Sequence, residues 1–587
     1  MSRRFGGRWQ GAALMLALAT TLLASCSAPG LPPLPWQART PQPLPDAQQV
    51  LYVSMREGMR VADLDPRRLS DVRSDMAHVT PLLYSTLFTF DARLRPIHAL
   101  ASGYTVSADG LRYTFHLRSD ARFADGAPIT SREVAFSLQR LLDPCDGSGY
   151  AFVFFSLQGA LTYTTQSCNA SFPTLPTPLP LIGHALLTPD PSTLVIVLAQ
   201  PDAALLAKLA EPYSGVVEQS VVQRYGDGWV KHLADGGGQG TSGMYAVASA
   251  QGVVNEGTQL TFVRASHYWG AAPRLREVIV RPYQSAIELA SHGDDLVLGS
   301  GRSPEFVEPT QLPTLSKLPG YHHAPARDED YLLLNPTSTG LTDPRARQAL
   351  ALALNRTALA ALFGGVATNH LIPHNTGAYQ AAPSGLIATA PLTGDVARAQ
   401  ALWQSYVADR CGGVASQCPP ITLWYSVSDM VGADPFQVKF DHAVARQWQA
   451  AFPGIRITFS GVGGGLETLL TFVGRVSYFN FDEEYPDPQD WLSEISAPSA
   501  NDTRIIHDPA ADALVARAAA TLDPTARQAL YQQAENTLLN DAVVIPIAQE
   551  QDSWAAKPAV MNFPANPEPY FAPAAWARIY LTAPPGK

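Results

Sequence analysis

The sequence predicts a large mixed α/β protein with several lobes. Segments with the apolar periodicity of strands and of helices alternate along the whole chain. We find no internal repeat of the length that solenoids or propellers use. With 587 residues, of which 46% are hydrophobic, the chain supplies apolar material for about three or four domain-sized units. These patterns predict a fold class and no function.

A β-hairpin is the first clear element. Residues 104–117 alternate apolar and polar side chains around Asp109-Gly110, a dipeptide typical of hairpin turns. Thr130 and Glu133 follow with the spacing of a capping box, in which each side chain accepts a hydrogen bond from backbone near the other. We therefore expect a helix to begin directly after Thr130.

Two later helices are predicted to begin at a proline that follows an aspartate. One begins at Pro344 and ends at the glycine pair 364–365, and the other begins at Pro524 and ends near Asn540. Short β-rich runs between the helices predict strands at residues 194–198, 260–263 and 278–280.

The first 25 residues are predicted to be a signal peptide. Arginines at positions 3, 4 and 8 precede an apolar run, residues 12–24, that is too short to span a bilayer comfortably. The run ends in Leu23-Ala24-Ser25-Cys26, which resembles a bacterial lipobox, so we expect cleavage before Cys26 and lipid modification of that residue. An ordinary secretory signal is the disfavoured alternative. Seven prolines within residues 29–45 predict that residues 26–45 form an extended tether.

The remaining four cysteines predict disulfides. An even number of cysteines in an exported protein favours structural bridges, and three pairings are possible. We favour the local pairs Cys145–Cys168 and Cys411–Cys418, because each pair brackets a loop-like stretch. Zinc binding is the rival interpretation, but neither spacing resembles a C-x-x-C knuckle.

Charge and motifs exclude several classes of function. The chain has 41 basic and 51 acidic side chains and no long basic run, which argues against nucleic-acid binding. It contains no G-x-S-x-G, H-E-x-x-H, Walker or EF-hand sequence, so we predict no enzyme activity, no cofactor and no metal. A secreted hydrolase with a dispersed triad is the remote alternative. The glycines at 461–465 follow a predicted strand, but their spacing favours a β–α turn over a dinucleotide fingerprint.

One short segment of the chain is strongly acidic. Residues 482–487 contain four acids, whose mutual repulsion must be relieved by water or by a cation. The segment is therefore either a solvated turn or a fixed carboxylate that awaits a positively charged ligand group. On the residues alone, the solvated turn is favoured.

Four segments, in order along the chain, resemble the family 5 extracellular solute-binding proteins of bacterial ABC importers, which include oligopeptide-, dipeptide- and nickel-binding members. They are residues 101–144, residues 240–245 with 267–270 and 273–275, residues 334–335 with 343–356, and Glu484-Tyr485-Pro486-Asp487-Pro488. The resemblance extends over roughly residues 50–550, nearly the whole mature chain.

This resemblance implies a periplasmic-binding-protein type II-like fold, in which two α/β lobes flank a hinge and an extra domain sits on the first lobe. Lobe I would comprise residues 46–84, 215–320 and 541–587, the extra domain 85–214, and lobe II 321–540. Ligand would bind between the lobes, and closure would bury it.

The resemblance also implies the ligand contacts. In peptide-binding relatives the acid before the tyrosine of the last segment pairs with the ligand's α-amino group, and that position is Glu484 here, where Asp is usual. Phe481 stands where Trp is common, and Tyr485 and Asp487 complete the predicted contacts. Asn355 replaces the usual Asp before Arg356, a change that concerns a helix end.

We therefore expect a monomeric lipoprotein of the periplasm or cell envelope that captures peptides and delivers them to an ABC permease in the inner membrane. Three questions remain open from the sequence. The ligand is a peptide or another small solute, such as a sugar, a metal chelate or an amine; the protein transports or only senses; and the anchor lies in the inner or the outer membrane.

Overall fold

The computed structural model describes most of the chain after residue 41. The described residues are 42–56, 64–69, 75–145, 148–165, 180–235, 238–249, 259–283, 295–299, 316–317, 320–374, 376–380, 382–428, 432–433, 435–463, 476–496, 508–564 and 573–583. The predicted signal peptide, Cys26 and Cys168 lie outside them. Leu44–Lys587 forms one compact unit.

The described strands are short except for two. They are β1 (Val50–Arg56), β2 (Phe88–Phe90), β3 (Pro96–His98), β4 (Ala101–Val106), β5 (Arg112–Leu117), β6 (Leu186–Asp190), β7 (Thr193–Val197), β8 (Tyr245–Ser249), β9 (Leu260–Arg264), β10 (Glu277–Tyr283), β11 (Leu296–Gly299), β12 (Tyr321–Leu334), β13 (Val366–Ala367), β14 (Ile421–Ser428), β15 (Gly432–Ala433), β16 (Ile457–Gly463), β17 (Val476–Asp482), β18 (Val544–Ala556), β19 (Val560–Met561) and β20 (Tyr580–Leu581).

The described α-helices are spread between the strands. They are α1 (Asp75–Leu83), α2 (Ser131–Leu141), α3 (Ala160–Thr164), α4 (Leu205–Lys208), α5 (Gln219–Tyr225), α6 (Pro344–Leu352), α7 (Arg356–Ala360), α8 (Val396–Arg410), α9 (Pro435–Ala451), α10 (Pro488–Ser496), α11 (Pro509–Ala519), α12 (Pro524–Asp541) and α13 (Pro573–Trp576). Among these helices, none is long and apolar enough to cross a membrane.

One mixed sheet runs through the whole unit. Its order is β15-β14-β17-β12-β18-β11-β1-β10-β9-β8, with β16 added to β14 and β13 to β18. A separate four-stranded sheet, β4-β5-β7-β6, belongs to the first half of the chain. The mixed sheet is thus the frame on which both lobes are built.

Buried side chains form two hydrophobic clusters. The first core draws on residues 51–296 together with Tyr485 and residues 554–581, and it includes the four-stranded sheet. The second core draws on residues 331–548 apart from Tyr485. The chain therefore builds one core from its two ends and the other from a single central stretch. The parts of the chain around these cores are called the first lobe and the second lobe.

The long strands β12 and β18 connect the two cores. Residues 321–325 of β12 pair with 551–555 of β18, and residues 329–333 pair with 544–549. The register shifts between Pro325 and Glu329, where the strands pass from one core to the other. Each of these two strands therefore contributes to both cores. The lobe boundaries predicted from the sequence, at 320/321 and 540/541, lie before these strands begin and stay predictions.

Most predicted local elements are confirmed. β4 and β5 form the predicted hairpin, with Gly110 at φ 72° in its turn, and strands cover the three β-rich runs except for Leu198, which follows the end of β7. At the start of α2, Thr130 Oγ1 accepts from the backbone N–H of Arg132 at 3.3 Å, and Glu133 Oε2 accepts from that of Thr130 at 3.1 Å. Helix α12 has nearly the predicted bounds.

The prediction of one continuous helix after Pro344 is wrong. Helix α6 ends at Leu352, and Asn355 caps a second helix, α7, by accepting from the backbone N–H of Ala358 at 2.9 Å. The Arg356 N–H donates to the carbonyl of Leu392 at 2.7 Å, so a contact with a distant loop interrupts the helical ladder.

The Cys411–Cys418 disulfide is present in the structure and closes a loop after α8. Cys145 is also disulfide-bonded. Its pairing with Cys168 stays a prediction.

Candidate ligand-binding site

The acidic segment forms a tight turn between β17, the neighbour of β12, and α10. The backbone N–H groups of Glu484 and Tyr485 both donate to Oδ2 of Asp490, at 2.6 and 3.2 Å. Asp490 is buried and lies in the first turn of α10. The shape of the turn is therefore fixed by a buried acceptor and not by solvent, which disfavours a simple solvated turn.

Tyr485 joins the two lobes. Its ring is 4% exposed and packs in the first core, although its neighbours in the chain pack in the second. Nζ of Lys208 lies 4.8 Å from the centroid of this ring, and the hydroxyl of Tyr213 donates to the carbonyl of Glu484 at 3.2 Å. Both partners come from the first lobe, so the turn is held from both sides.

Glu484 is more accessible than the acids beside it. It is half-buried, whereas Glu483 and Asp487 are buried. Glu483 forms an ion pair with Arg327 on β12. Glu484 is thus more exposed than Glu483 and Asp487, although its Oε2 atom is buried, and a ligand contact by Glu484 stays a prediction.

Phe481 and Asp487, two further predicted ligand contacts, are engaged inside the fold. The ring of Phe481 packs in the second core, 6.0 Å from the ring of Trp491. Both carboxylate oxygens of Asp487 accept hydrogen bonds from Arg527, each at 2.6 Å. These contacts favour a role in shaping the turn, and ligand contact by either residue stays a prediction.

A buried acid approaches the turn from the first lobe. Glu211 is 5% exposed and precedes a short 3₁₀ helix, Pro212–Ser214, that carries Tyr213. Burial raises the pKa of Glu211 to about 8, and the nearby Arg327 guanidinium opposes this rise. Burial also raises the pKa of Tyr213 well above its ordinary value, with contributions from Glu211, Asp490 and Glu484 among others.

More acids lie where β12 and β18 cross between the cores. Burial, and then the neighbouring carboxylates, raise the pKa of Glu329 well above its ordinary value. Nδ2 of Asn480 lies 3.3 Å from Asp330 Oδ1 and 3.2 Å from Glu550 Oε1, and so bridges two strands. Acidic side chains thus cluster where the strands pass between the cores, and the raised pKa favours the neutral, protonated form of Glu329.

A family model for bacterial extracellular solute-binding proteins, family 5 (middle region), matches residues 95–501. This range is more than half of the chain and contains the hairpin, β12 and the acidic turn. The chain belongs to this family. The resemblance predicted from four short segments is therefore confirmed.

Family 5 relatives cover most of the chain. The periplasmic oligopeptide-binding protein OppA of Salmonella typhimurium is 24% identical over 525 residues, 86% of this chain and 88% of the relative. The probable deoxycholate-binding periplasmic protein YgiS of Escherichia coli is 26% identical over 516 residues, 86% and 90% of the two chains. The periplasmic murein peptide-binding protein MppA of Escherichia coli is 26% identical over 473 residues, 78% and 81%.

Solved structures of the family share the fold. The unliganded open form of MppA superposes with a TM-score of 0.71 at 21% identity and covers 93% of this chain and 99% of its own. Clavulanic acid biosynthesis oligopeptide binding protein 2 also gives a TM-score of 0.71, at 20% identity, with 91% and 95% covered. The predicted two-lobe α/β fold is confirmed.

Sequence reasoning missed the first-lobe side of the site. Tyr213 and Glu484 are 271 residues apart in the chain, and Glu211-Pro212-Tyr213 matches no motif of a ligand site. A charged residue beside Pro in a loop is a common surface pattern, so only the folded chain distinguishes Glu211 from other loop acids.

Proposed function

We propose that this protein captures peptides outside the cytoplasm by their terminal ammonium group and passes them to an ABC permease. The observation that carries the proposal is the position of Glu484, a half-buried acid whose backbone is held by Asp490 of its own lobe and by Tyr213 of the other. Relatives named for oligopeptide, murein peptide and glutathione binding support this ligand class.

The chemistry of the turn fits an ammonium ion. A carboxylate that is already partly shielded from water forms a stronger charge-assisted bond than an exposed one. Two other acids of the turn pair with arginines, Glu483 with Arg327 and Asp487 with Arg527. A ligand cation beside Glu484 would add a charge-assisted interaction of the same kind.

Delivery and location complete the proposal. Lipid modification of Cys26 would hold the mature protein at a membrane surface of the periplasm or cell envelope, and we propose that the protein acts there as a monomer beside an inner-membrane permease. A receptor that only senses peptides would bind the same ligand as one that delivers them to a permease. Uptake of labelled peptide by cells that carry the protein distinguishes the transporting receptor from the sensing one.

The ligand proposal is tested with the mature protein and two short peptides. Isothermal titration should show that trialanine binds and that N-acetyl-trialanine binds far more weakly, since acetylation removes the cation. Glu484→Gln should reduce trialanine affinity by about 2–5 kcal/mol, as expected when one partner of a buried charge pair is lost. Glu277→Gln, in β10 of the first lobe, is the matched control and should bind as the natural protein does.

Two results contradict the proposal. Equal affinity for free and acetylated peptide would remove Glu484 as the ammonium partner. A single non-peptide species in native mass spectrometry of the purified protein would replace the ligand class, and a thermal-shift series of sugars, metal chelates and amines would then identify it. A bile acid such as deoxycholate is disfavoured, because its negative charge would meet the acids of the turn.

A further inference from the structure

We propose that Glu211 is a second acidic partner for the ligand, so that the site prefers peptides with a cationic first side chain. This proposal rests on the proposed function, in which Glu484 binds the terminal ammonium group. The two acids come from opposite lobes, and the hydroxyl of Tyr213, two residues after Glu211, contacts the backbone of Glu484. A ligand with two neighbouring cations would therefore engage both lobes at once.

The position of Glu211 favours a ligand contact. It is 5% exposed, and its Oε1 has no hydrogen-bond partner among the described residues. Two residues later, Tyr213 donates its hydroxyl to the carbonyl of Glu484, which brings the first-lobe turn against the acidic turn of the second lobe. A buried carboxyl oxygen without a hydrogen-bond partner lowers the stability of the fold. Its presence at the junction of the lobes therefore favours a role in ligand binding.

The charges that face Glu211 leave room for a cation. Arg327 is the charged group that favours the ionised form of Glu211, but it is already paired with Glu483. Glu211 and Glu484 both lie close enough to affect the Tyr213 hydroxyl, Glu211 from the same turn and Glu484 from the second lobe, and Asp490 adds further negative charge near it. Tyr213, Glu484 and Asp490 therefore supply no positive charge here.

The buried cations near the Glu211 turn are engaged elsewhere. The turn packs against α1, α2 and the short helix Pro66–Arg68. Among the cations of these elements, Arg140 and Arg67 pair with Asp65, and Arg68 and Arg132 are exposed. Lys208, three residues before Glu211, pairs with Asp202 at 2.8 Å. These ion pairs leave the positive charge next to Glu211 to be supplied by a ligand.

The protonation state of Glu211 follows from this setting. Tyr150 stacks on Tyr213 with ring centroids 4.7 Å apart, so aromatic rings help to exclude water from the turn. Burial raises the pKa of Glu211 to about 8, and the carboxyl is therefore mostly protonated at pH 7. A ligand cation must displace that proton in order to form an ion pair.

The expected reaction on binding is an exchange of a proton for a ligand cation. The O–H bond of Glu211 breaks, its proton passes to the buffer, and the carboxylate pairs with the incoming ammonium or guanidinium group. Binding of such a ligand at pH 7 should therefore release about one proton. Above about pH 9 Glu211 is already ionised and releases no proton, so the lysine peptide and a neutral analogue, whose terminal amines take up protons alike, should show the same net proton exchange.

Lys-Ala-Ala and its neutral analogue norleucine-Ala-Ala test the proposal by isothermal titration at pH 7 in phosphate and in Tris. The natural protein should bind the lysine peptide about 10-fold to 100-fold more tightly, the size of one charge-assisted contact. The difference in apparent enthalpy between the buffers should report the released proton for that peptide. Glu211→Gln should bring the affinity ratio close to one and abolish the release, and Glu277→Gln should preserve both.

The possible failures are distinguishable. Equal affinity for the two peptides without proton release in the natural protein overturns the role of Glu211 and leaves the peptide proposal standing. Proton release that persists in Glu211→Gln also overturns that role. If neither peptide binds, both proposals fail together. The comparison of the two peptides uses only the natural protein. The proposal can therefore be overturned even if the Glu211→Gln variant misfolds.

Discussion

Tyr485 packs its ring in the first core, 4.8 Å from Nζ of Lys208, although β17 and α10 on either side of it belong to the second core. Lys208 is itself buried and pairs with Asp202 at 2.8 Å. A cation–π contact and a buried ion pair therefore meet where the lobes touch. The same turn that presents Glu484 also connects the lobes, so ligand capture and lobe contact share one structural element.

Removing the Tyr485 ring should weaken the junction. Tyr485→Ala takes a buried aromatic side chain out of the first core, and we expect a loss of about 3–5 kcal/mol of stability. Urea denaturation followed by tryptophan fluorescence measures it. Tyr104→Ala is the control, because that ring is 39% exposed and its loss should cost much less. Equal losses would show that Tyr485 does not support the junction.

The pair of Arg527 and Asp487 should behave as one unit. Breaking it from one side, with Arg527→Met or Asp487→Leu, leaves a buried charge unpaired and should cost about 3–5 kcal/mol. The double variant should be clearly more stable than the sum of the single losses predicts, because it leaves no orphaned charge. A double-mutant cycle by chemical denaturation measures this coupling. Simple additivity of the single losses would contradict it.

Asp441 should make the second lobe sensitive to alkaline pH. This residue of α9 is fully buried, neither carboxylate oxygen has a hydrogen-bond partner among the described residues, and burial raises its pKa from 3.8 to about 8. A raised pKa in the folded state means that the stability is fully present below about pH 4 and is lost as pH rises through 8. Asp441→Asn should therefore reduce the fall in stability between pH 5 and pH 8 by a few kcal/mol.

The melting temperatures of both proteins across this pH range provide the measurement for Asp441. Glu211 and Glu329 also have raised pKa values and act in the same direction, so part of the fall should persist in Asp441→Asn and become smaller in the double variant with Glu211→Gln. Parallel melting curves for the natural protein and Asp441→Asn would contradict the prediction.

The Cys411–Cys418 bridge should contribute modestly to stability. It links residues seven positions apart, and closing so short a loop is worth roughly 2 kcal/mol in the chain-entropy model. The paired substitution Cys411→Ala/Cys418→Ala should lower the urea midpoint by a corresponding amount under oxidising conditions. An unchanged midpoint would show that the bridge does not restrict the unfolded chain.

Local features were predictable from the sequence because their causes lie within a few residues. The hairpin at Gly110, the capping box at Thr130 and the helix that begins at Pro524 each depend on neighbouring side chains and backbone groups. Apolar periodicity did not reveal the break at Asn355, because the break depends partly on a hydrogen bond from the backbone N–H of Arg356 to the carbonyl of Leu392. Periodicity alone cannot reveal a partner so far along the chain.

The sequence by itself determined the mixed α/β class, and through the resemblance of four segments it determined the family and the acidic turn with Glu484. Only the tertiary structure decided that Tyr485 packs in the other lobe's core, that Asp487 is bound by Arg527, and that Tyr213, two residues after Glu211, contacts Glu484. The physical reason is that a side chain's charge state and partners depend on which distant groups exclude water from it. That information exists only after the two halves of the chain have come together.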